Sequence, residues 1–313
     1  MTCTMNSIVN LYKPVGPTSF SMVRSVKQAL SVKKAGHIGT LDPLAEGVLP
    51  ICLNRSTRII QFLTRLNKVY RAKMKLGITT DTQDSTGQIL ATEPTNHLTE
   101  DEVRSVIQGF SGEQQQVPPM FSAKKKNGVP LYKLARNGIT IMRDPVTIHV
   151  YSIEFLEKSG DEVTFKVHCS AGTYVRTLCH DIGLKLGCGA HMTRLVRERV
   201  GHFDMASSVT LEELNHAQTH GGLSDKLLQT DQVLDFLPEI QLCPDHIQSI
   251  AHGAAITKGA VQALPDRFQP GMLLRATHGD HQIAAVVEAL VDQDQFADLQ
   301  PHEVVFKLKR VLL

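Results

Sequence analysis

Residues 35 to 58, AGHIGTLDPLAEGVLPICLNRSTR, constrain this chain more than any other stretch. Three glycines, Gly36, Gly39 and Gly47, punctuate it. Glycine admits positive φ and lets another backbone or a ligand come close. Pro43 locks its own φ and pushes Asp42 towards an extended conformation. Asp42 therefore sits on a stiff turn, its carboxylate aimed in one direction. His37, a little upstream, is placed to meet a phosphate or a ribose. Val48, Leu49, Ile51 and Leu53 follow and should anchor the loop to a core strand. Taken alone, Asp before Pro is also a common way to start an Asx-type turn. A turn former and a catalytic acid are both open readings at this point.

With 313 residues the chain has room for one large domain and a small one, or for two of middling size. No apolar run reaches about 18 residues, so no membrane-spanning helix is expected. The opening MTCTMNSIVN lacks the charged-then-apolar pattern of a signal peptide. Cys3, Cys52, Cys169, Cys179, Cys188 and Cys243 contain no CxxC pair. They fit a reducing cytosol better than a disulfide framework or a zinc site.

The net charge of +2 hides a division. Residues 1 to 202 carry 26 Lys and Arg against 16 Asp and Glu, whereas residues 203 to 300 carry 4 against 14. The first two-thirds therefore point to a polyanionic partner. The acidity of the last third argues against nucleic-acid binding there.

Along the chain, Ile8 to Tyr12 reads as a short strand. Gly16-Pro17-Thr18-Ser19 turns into a helix with Phe20, Val23, Val26 and Leu30 on one face. Ser56 to Leu66 looks helical. Lys68 to Leu76 alternates, with Tyr70, Ala72, Met74 and Leu76 on an apolar face and Arg71, Lys73 and Lys75 on a basic one. Thr99 to Glu102 forms a capping box ahead of a helix. Residues 121 to 143 hold six cations, Lys124, Lys125, Lys126, Lys133, Arg136 and Arg143, and no acid, with Phe121 and Tyr132 between them. Such a stripe suits phosphate contact, and a solvated lysine loop is the plain alternative. Residues 146 to 155 and 162 to 169 read as a hairpin, followed by a helix from near Thr173. Arg194, Arg197 and Arg199 alternate with apolar residues, which suggests a strand with one basic face, or plain solvation. A small helix at 246 to 252 and three strands close the chain. His278-Gly279-Asp280-His281 is read as a hairpin turn. Those two histidines lack further ligand spacing, so no metal site is expected.

Several of these segments share a resemblance. GHIGTLDPLAEGVLPICL, KPVGPTS, KVYRAKMKLGITTDTQDSTG, PPMFSAKKKNGVPLYKLARNG, CSAGTYVRTLCHDIG and LGCGAHMTRLVRERVGHF resemble the TruB family of tRNA pseudouridine synthases. The likeness is close over roughly residues 8 to 205 and loose beyond. It implies an α+β pseudouridine synthase fold with a mixed, mostly antiparallel central sheet. A catalytic domain over 1–240, with a thumb insertion at about 112–143, would precede a PUA-like β-barrel over 241–313. The resemblance makes Asp42 the catalytic residue. It places Tyr70 as the stacking partner of the target base, Tyr174 and Arg176 in the site with Arg176 paired to Asp42, and Leu195 under the base. Arg58 stands where the family carries a basic residue near the site, and a surface arginine reads equally well there. Lys124, Lys125, Lys126, Lys133 and Arg136 become candidate RNA-backbone contacts.

The expected activity is isomerisation of uridine 55 in the T loop of tRNA, with neither cofactor nor metal. The expected protein is a cytoplasmic monomer working without guide RNA. Three rivals are a guide-RNA-dependent synthase of the dyskerin type, a non-enzymatic RNA chaperone, and a carboxylate-dependent glycosidase. The last would want a second acidic partner, and none stands out in the matched motifs.

Overall fold

The structure is a computed structural model that describes residues 6–122, 124–126 and 128–313. Cys3 lies outside the described residues. The first run of elements is β1 (Ser7–Lys13), α1 (Ser19–Ala29), β2 (Ala35–His37), β3 (Ala45–Leu53), α2 (Ile60–Leu63), β4 (Lys68–Leu76), β5 (Ile78–Thr80), β6 (Ile89–Thr92), α3 (Glu100–Gln108), β7 (Gly112–Gln116), β8 (Lys125–Lys126), β9 (Val129–Pro130), α4 (Leu131–Arg136), β10 (Val146–Ser159), β11 (Glu162–Cys169), α5 (Val175–Lys185), β12 (Ala190–Val200), β13 (Phe203–Asp204), α6 (Leu211–His220), β14 (Leu227–Gln229) and α7 (Thr230–Val233). The second is β15 (Glu239–Leu242), α8 (Ile247–Ala251), β16 (Ile256–Thr257), β17 (Val261–Ala263), β18 (Leu273–His278), β19 (Gln282–Ala289), α9 (Gln293–Asp298) and β20 (Val304–Val311).

The large sheet has the order β14-β1-β3-β12-β4-β11-β10-β7, with β2 beside β3 and β13 beside β12. Its described neighbours are antiparallel except β3 and β12, which run parallel with Leu195 opposite Ala45 and Arg197 opposite Gly47. That pairing brings the loop entering β3, which carries Asp42, alongside the middle of β12. The alternation of β4 is realised: Tyr70, Ala72, Met74 and Leu76 are buried. They share a core with Val175, Leu178 and Ile182 of α5 and Val103 and Ile107 of α3. The α3 capping box forms as the sequence predicts, with Thr99 and Glu102 bonding reciprocally.

The second lobe is one six-stranded sheet, β16-β20-β19-β18-β15-β17, curled into a nearly closed barrel. It has its own core around Ile240, Leu274, Val287 and Phe306. Val286, Ile283 and Leu312 also pack with Ile8, Val48 and Phe62, so the two lobes share an apolar seam.

Four readings change. Phe20 is 67% exposed, and Met22 joins Val23 and Val26 on the buried face of α1. At 100° per residue, Phe20 falls outside the stripe set by positions 22, 23, 26 and 30. Residues 54–59 form a 3₁₀ turn before the single turn of α2, rather than one helix to Leu66. The hairpin strand reaches Ser159 and absorbs two register shifts, at Val150/Ser152 and Phe155/Glu157. Arg197 is not on a basic surface: it is 1% exposed.

Gly47 has φ +111°, and a Cβ there would collide with the Arg197 backbone across the parallel pair. Gly47→Ala should therefore destabilise the protein by about 2–4 kcal/mol. Urea unfolding would measure it; a loss under half a kilocalorie would show that the pairing tolerates a side chain.

Candidate active site

The Asp42 turn is fastened from three sides. The Ser19 hydroxyl donates to Leu41 O and accepts from Leu41 N–H, both at 2.8 Å. Lys13, fully buried, donates from Nζ to Ala45 O at 2.6 Å and Pro14 O at 2.8 Å. Gly16 N–H donates to Pro43 O at 2.8 Å, and Ala45 N–H to Asp42 O at 3.0 Å. The N-cap of α1, Thr18, sits in the same corner. A loop held at this many backbone points keeps its carboxylate where it is, at no cost in reorganisation during a reaction. The segment KPVGPTS thus does structural duty through Lys13, Gly16 and Ser19.

Arg176, on the first turn of α5, is the other half of the site. Its Nε lies 3.1 Å from Asp42 Oδ2 and its Nη1 lies 3.4 Å from Asp84 Oδ2. Nη1 also donates to Thr82 O at 3.2 Å and Nη2 to Phe121 O at 2.9 Å. The side chains of Arg176 and Asp84 are each 7% exposed, while that of Asp42 is 39% exposed. One guanidinium therefore faces inward to one carboxylate and outward to another, and only the outer one is open to a substrate. Oδ1 of Asp84 is itself fixed by the Thr82 hydroxyl at 2.8 Å and by the Thr86 N–H at 3.0 Å. The start of α5 is set by Gln116 of β7, whose amide accepts from Tyr174 N–H at 2.8 Å and donates to Tyr174 O at 3.0 Å.

The floor is apolar. Tyr70 (8% exposed) and Leu195 (6%) belong to one core with Leu41 and Ala45. Tyr70 is the cross-strand partner of Arg197. Burial pushes its phenol up, and the Arg197 charge draws it back down. Arg197 donates to Val48 O at 2.8 Å, Gly39 O at 3.0 Å and Thr40 O at 3.4 Å. His37 is held below its ordinary value by burial and then by Arg197. Its Nδ1 accepts the Gly39 N–H at 3.2 Å, as a neutral imidazole can. Lys13 and Lys68 are each lowered to about 8, chiefly by burial.

Asp42 and Arg176 are thus in direct contact, and Tyr70 and Leu195 lie in the core beside the Asp42 loop, with Tyr174 next to Arg176 and His37 in the loop behind. Arg58 is not among them: its Nη1 donates to Val311 O at 3.3 Å, in a groove that Lys309 and Arg310 also line. Lys124, Lys125, Lys126, Lys133 and Arg136 lie on the segment of the β8–β9 hairpin and α4, with the three consecutive lysines exposed. That segment joins the site through its backbone, since Phe121 O is a hydrogen-bond partner of Arg176. Sequence reasoning missed Asp84, Arg197, Lys13 and Gln116. The Thr-x-Asp-x-Thr pattern around Asp84 was the available signal, because threonines two residues either side tie a carboxylate to its own turn. Arg197 had no such signal. His281, weighed as a metal ligand, instead pairs with Glu239 at 2.6 Å.

Comparison with known proteins identifies the family. Residues 27–175 match the model of the TruB family pseudouridylate synthase N-terminal domain, and residues 176–235 that of the tRNA pseudouridylate synthase B C-terminal domain. The chain is 50% identical to the tRNA pseudouridine synthase B of Clostridium tetani over 276 residues, 88% of this chain and 93% of that one. It is 47% identical to the same-named protein of Syntrophotalea carbinolica over 267 residues, 85% and 87% of the two chains. Among solved structures, a Cbf5-Nop10-Gar1 complex contains a chain that superposes with a TM-score of 0.80 at 30% identity, covering 99% of this chain and 86% of that one. An H/ACA RNP bound to a substrate RNA containing 2'-deoxyuridine contains another, with a TM-score of 0.78 at 28% identity over 99% and 86%.

Two outcomes follow from the geometry. Asp84→Asn leaves a buried guanidinium with one carboxylate instead of two, and should cost about 2 kcal/mol in urea unfolding. An unchanged midpoint would mean that Thr82 O and Phe121 O suffice to hold Arg176. Lys13 titrates near 8 in the folded chain and near 10.5 unfolded. Between those values the unfolded state binds more protons, so stability from this group rises with pH. The stability of Lys13→Met relative to wild type should accordingly fall between about pH 8 and pH 10.5. A gap that is flat with pH would place the Lys13 titration elsewhere.

Proposed function

The chain belongs to the TruB family of pseudouridylate synthases, and from that premise we propose that it converts uridine 55 in the T loop of tRNA to pseudouridine. It is an isomerase: uracil is detached from ribose, turned and rejoined through C5. What carries this reading is the Asp42–Arg176 pair at the mouth of a cleft floored by Tyr70 and Leu195. A stacked base cannot reach Asp42, so the nucleotide is flipped out, at a cost of a few kcal/mol. Stacking on Tyr70 returns about 1–3 kcal/mol of that. Leu195 supports the base from below. Asp42, steered by Arg176, then acts on the ribose. Tyr174 and His37 complete the wall that meets the nucleotide.

Lys124, Lys125, Lys126, Lys133 and Arg136 are the phosphate contacts in this reading, closing as a thumb over the T arm. Arg58 lies apart from them and faces RNA from the groove beside β20. The catalytic domain spans residues 1–240 with its thumb at about 112–143, and the PUA-like domain spans 241–313; strand β15 straddles that boundary. The protein acts as a cytoplasmic monomer without a guide RNA. The stand-alone reading is favoured because the similar relatives, matched over most of their length, are named tRNA pseudouridine synthase B. Among the described residues no helix is long and apolar enough to cross a membrane.

The test is tritium release from an unmodified tRNA transcript labelled at C5 of its uridines, with no guide RNA added. Wild type should release one equivalent per tRNA, and Asp42→Asn none, with tRNA affinity within a few-fold. Turnover near wild type in that variant would remove Asp42 from the chemistry. Replacing Lys124, Lys125 and Lys126 with Gln should flatten the slope of log K against log salt by roughly 0.7–0.9 for each phosphate left without its lysine. An unchanged slope would return these lysines to plain solvation.

A further inference from the structure

Two guanidiniums border the cleft, and they are compensated differently. Arg176 is matched by Asp42 and Asp84. Arg197 is 1% exposed and, among the described residues, forms no ion pair with any carboxylate. It donates to backbone carbonyls, those of Gly39 and Thr40 ahead of Asp42 and of Val48 behind it. Its ionisable partner is the Tyr70 phenol, directly across the strand pair. Burying an unmatched charge is costly, and folds keep such arrangements mostly where function needs them.

The groups around it yield to this charge. Lys13 of β1, His37 of β2 and Lys68 of β4 all feel Arg197 and are all moved towards their neutral forms, mainly by burial. Around Tyr70 itself stand Arg197 of β12, Cys169 of β11 and Asp42 of the loop. Arg197 is itself drawn down by burial and held up by Tyr70, and from its high ordinary value it keeps its proton most firmly of this set.

We infer that Arg197 is a positioning residue acting through Tyr70: it locks the phenol against the Asp42 loop and polarises it towards the base. The inference rests on the isomerase reading above. When N1–C1′ breaks, the bonding pair leaves with the base, which is then an anion. Bond formation between C5 and C1′, loss of the C5 proton and protonation of N1 complete the isomer, with no oxidant or reductant needed. A phenol held and polarised by a fixed cation lowers the energy of that anion more than that of the neutral uridine, so the pair acts on turnover more than on binding.

The experiment is a double-mutant cycle. Arg197→Met and Arg197→Lys are made in wild type and in Tyr70→Phe, and read by single-turnover tritium release, tRNA binding and thermal melting. Arg197→Met should slow the chemical step by about 100-fold, the scale of losing one preorganised electrostatic group, with affinity within about threefold. Arg197→Lys, which keeps the charge and loses the fork, should fall between. In the Tyr70→Phe background the Arg197→Met loss should shrink to below about tenfold, because residues acting as one unit are not additive. Equal losses in both backgrounds would overturn the inference and leave Arg197 as a loop fastener. A loss of affinity matching the loss of rate would overturn it too. If Arg197→Met melts out, Arg197→Lys in the two backgrounds carries the same comparison. An inactive wild-type chain fails the isomerase reading itself, a distinct result.

Discussion

The guanidinium of Arg176 is the joint on which the cleft turns. It spans an exposed carboxylate on one loop and a buried one on another, at 3.1 and 3.4 Å. Remove it and the two acids lose the cation between them, while Phe121 O and Thr82 O lose their donor. Because Arg176 sits on the first turn of α5, its direction depends on how that helix starts. Gln116 sets the start by clamping both polar groups of the Tyr174 backbone. A strand at the far edge of the sheet, β7, therefore reaches the Asp42–Arg176 pair through one buried amide. The same strand leads into the segment that carries the exposed lysines, so that segment and the acid–guanidinium pair are mechanically adjacent.

The second constraint is the parallel pairing of β3 with β12. It lays Gly47 against the Arg197 backbone, where only a missing side chain fits. It also puts Leu195 beside Ala45, just past Asp42 in the chain. Lys13, Ser19 and Gly16 then fasten the remaining side of the turn by bonding to its backbone atoms. Fastening through the main chain leaves the Asp42 carboxylate committed to Arg176 and otherwise open. That is what a carboxylate needs if it is to be both fixed in place and free to react.

How far residues alone reveal such a site depends on what kind of contact makes it. Gly47, Pro43 and Asp42 were legible because they act within a few residues of themselves, through φ and turn geometry. The strand β4 was legible because its burial repeats every second residue. Arg176 and Tyr70 became legible through a matching run of sequence, not through periodicity. Arg197 escaped for a physical reason. The three arginines read as one basic face, but Arg197 lies three residues from Arg194 in an unbroken register and so shares the buried face of Leu195, and the register shift at Arg197/Arg199 then lets Arg199 point outward. Phe20 failed in the opposite sense, since an aromatic at the helix start counted as core by type and lies outside by angle. Asp84 was hidden because its partner stands 92 residues away, and no local pattern reports a contact at that separation.

Net charge has the same dependence on position. Residues 203 to 300 are strongly acidic, which argued against any polyanion near the last third. Charge acts through the surface on which it lies, however, and not through a segment's sum. Strand β20 brings Lys307, Lys309 and Arg310 to the end of the barrel, and the groove lined by Lys309 and Arg310 is closed on its other side by Arg58 of the first lobe. Part of that charge is matched, since Lys309 pairs with Glu288 at 2.5 Å. Arg58 and Arg310 have no carboxylate partner among the described residues. The seam between the lobes is thus locally cationic although one lobe is acidic overall. Arg58 belongs to that seam because the apolar contact of Ile8, Val48 and Phe62 with Val286, Ile283 and Leu312 draws β20 against the first lobe. Its distance from the Asp42 pair is then a consequence of lobe packing.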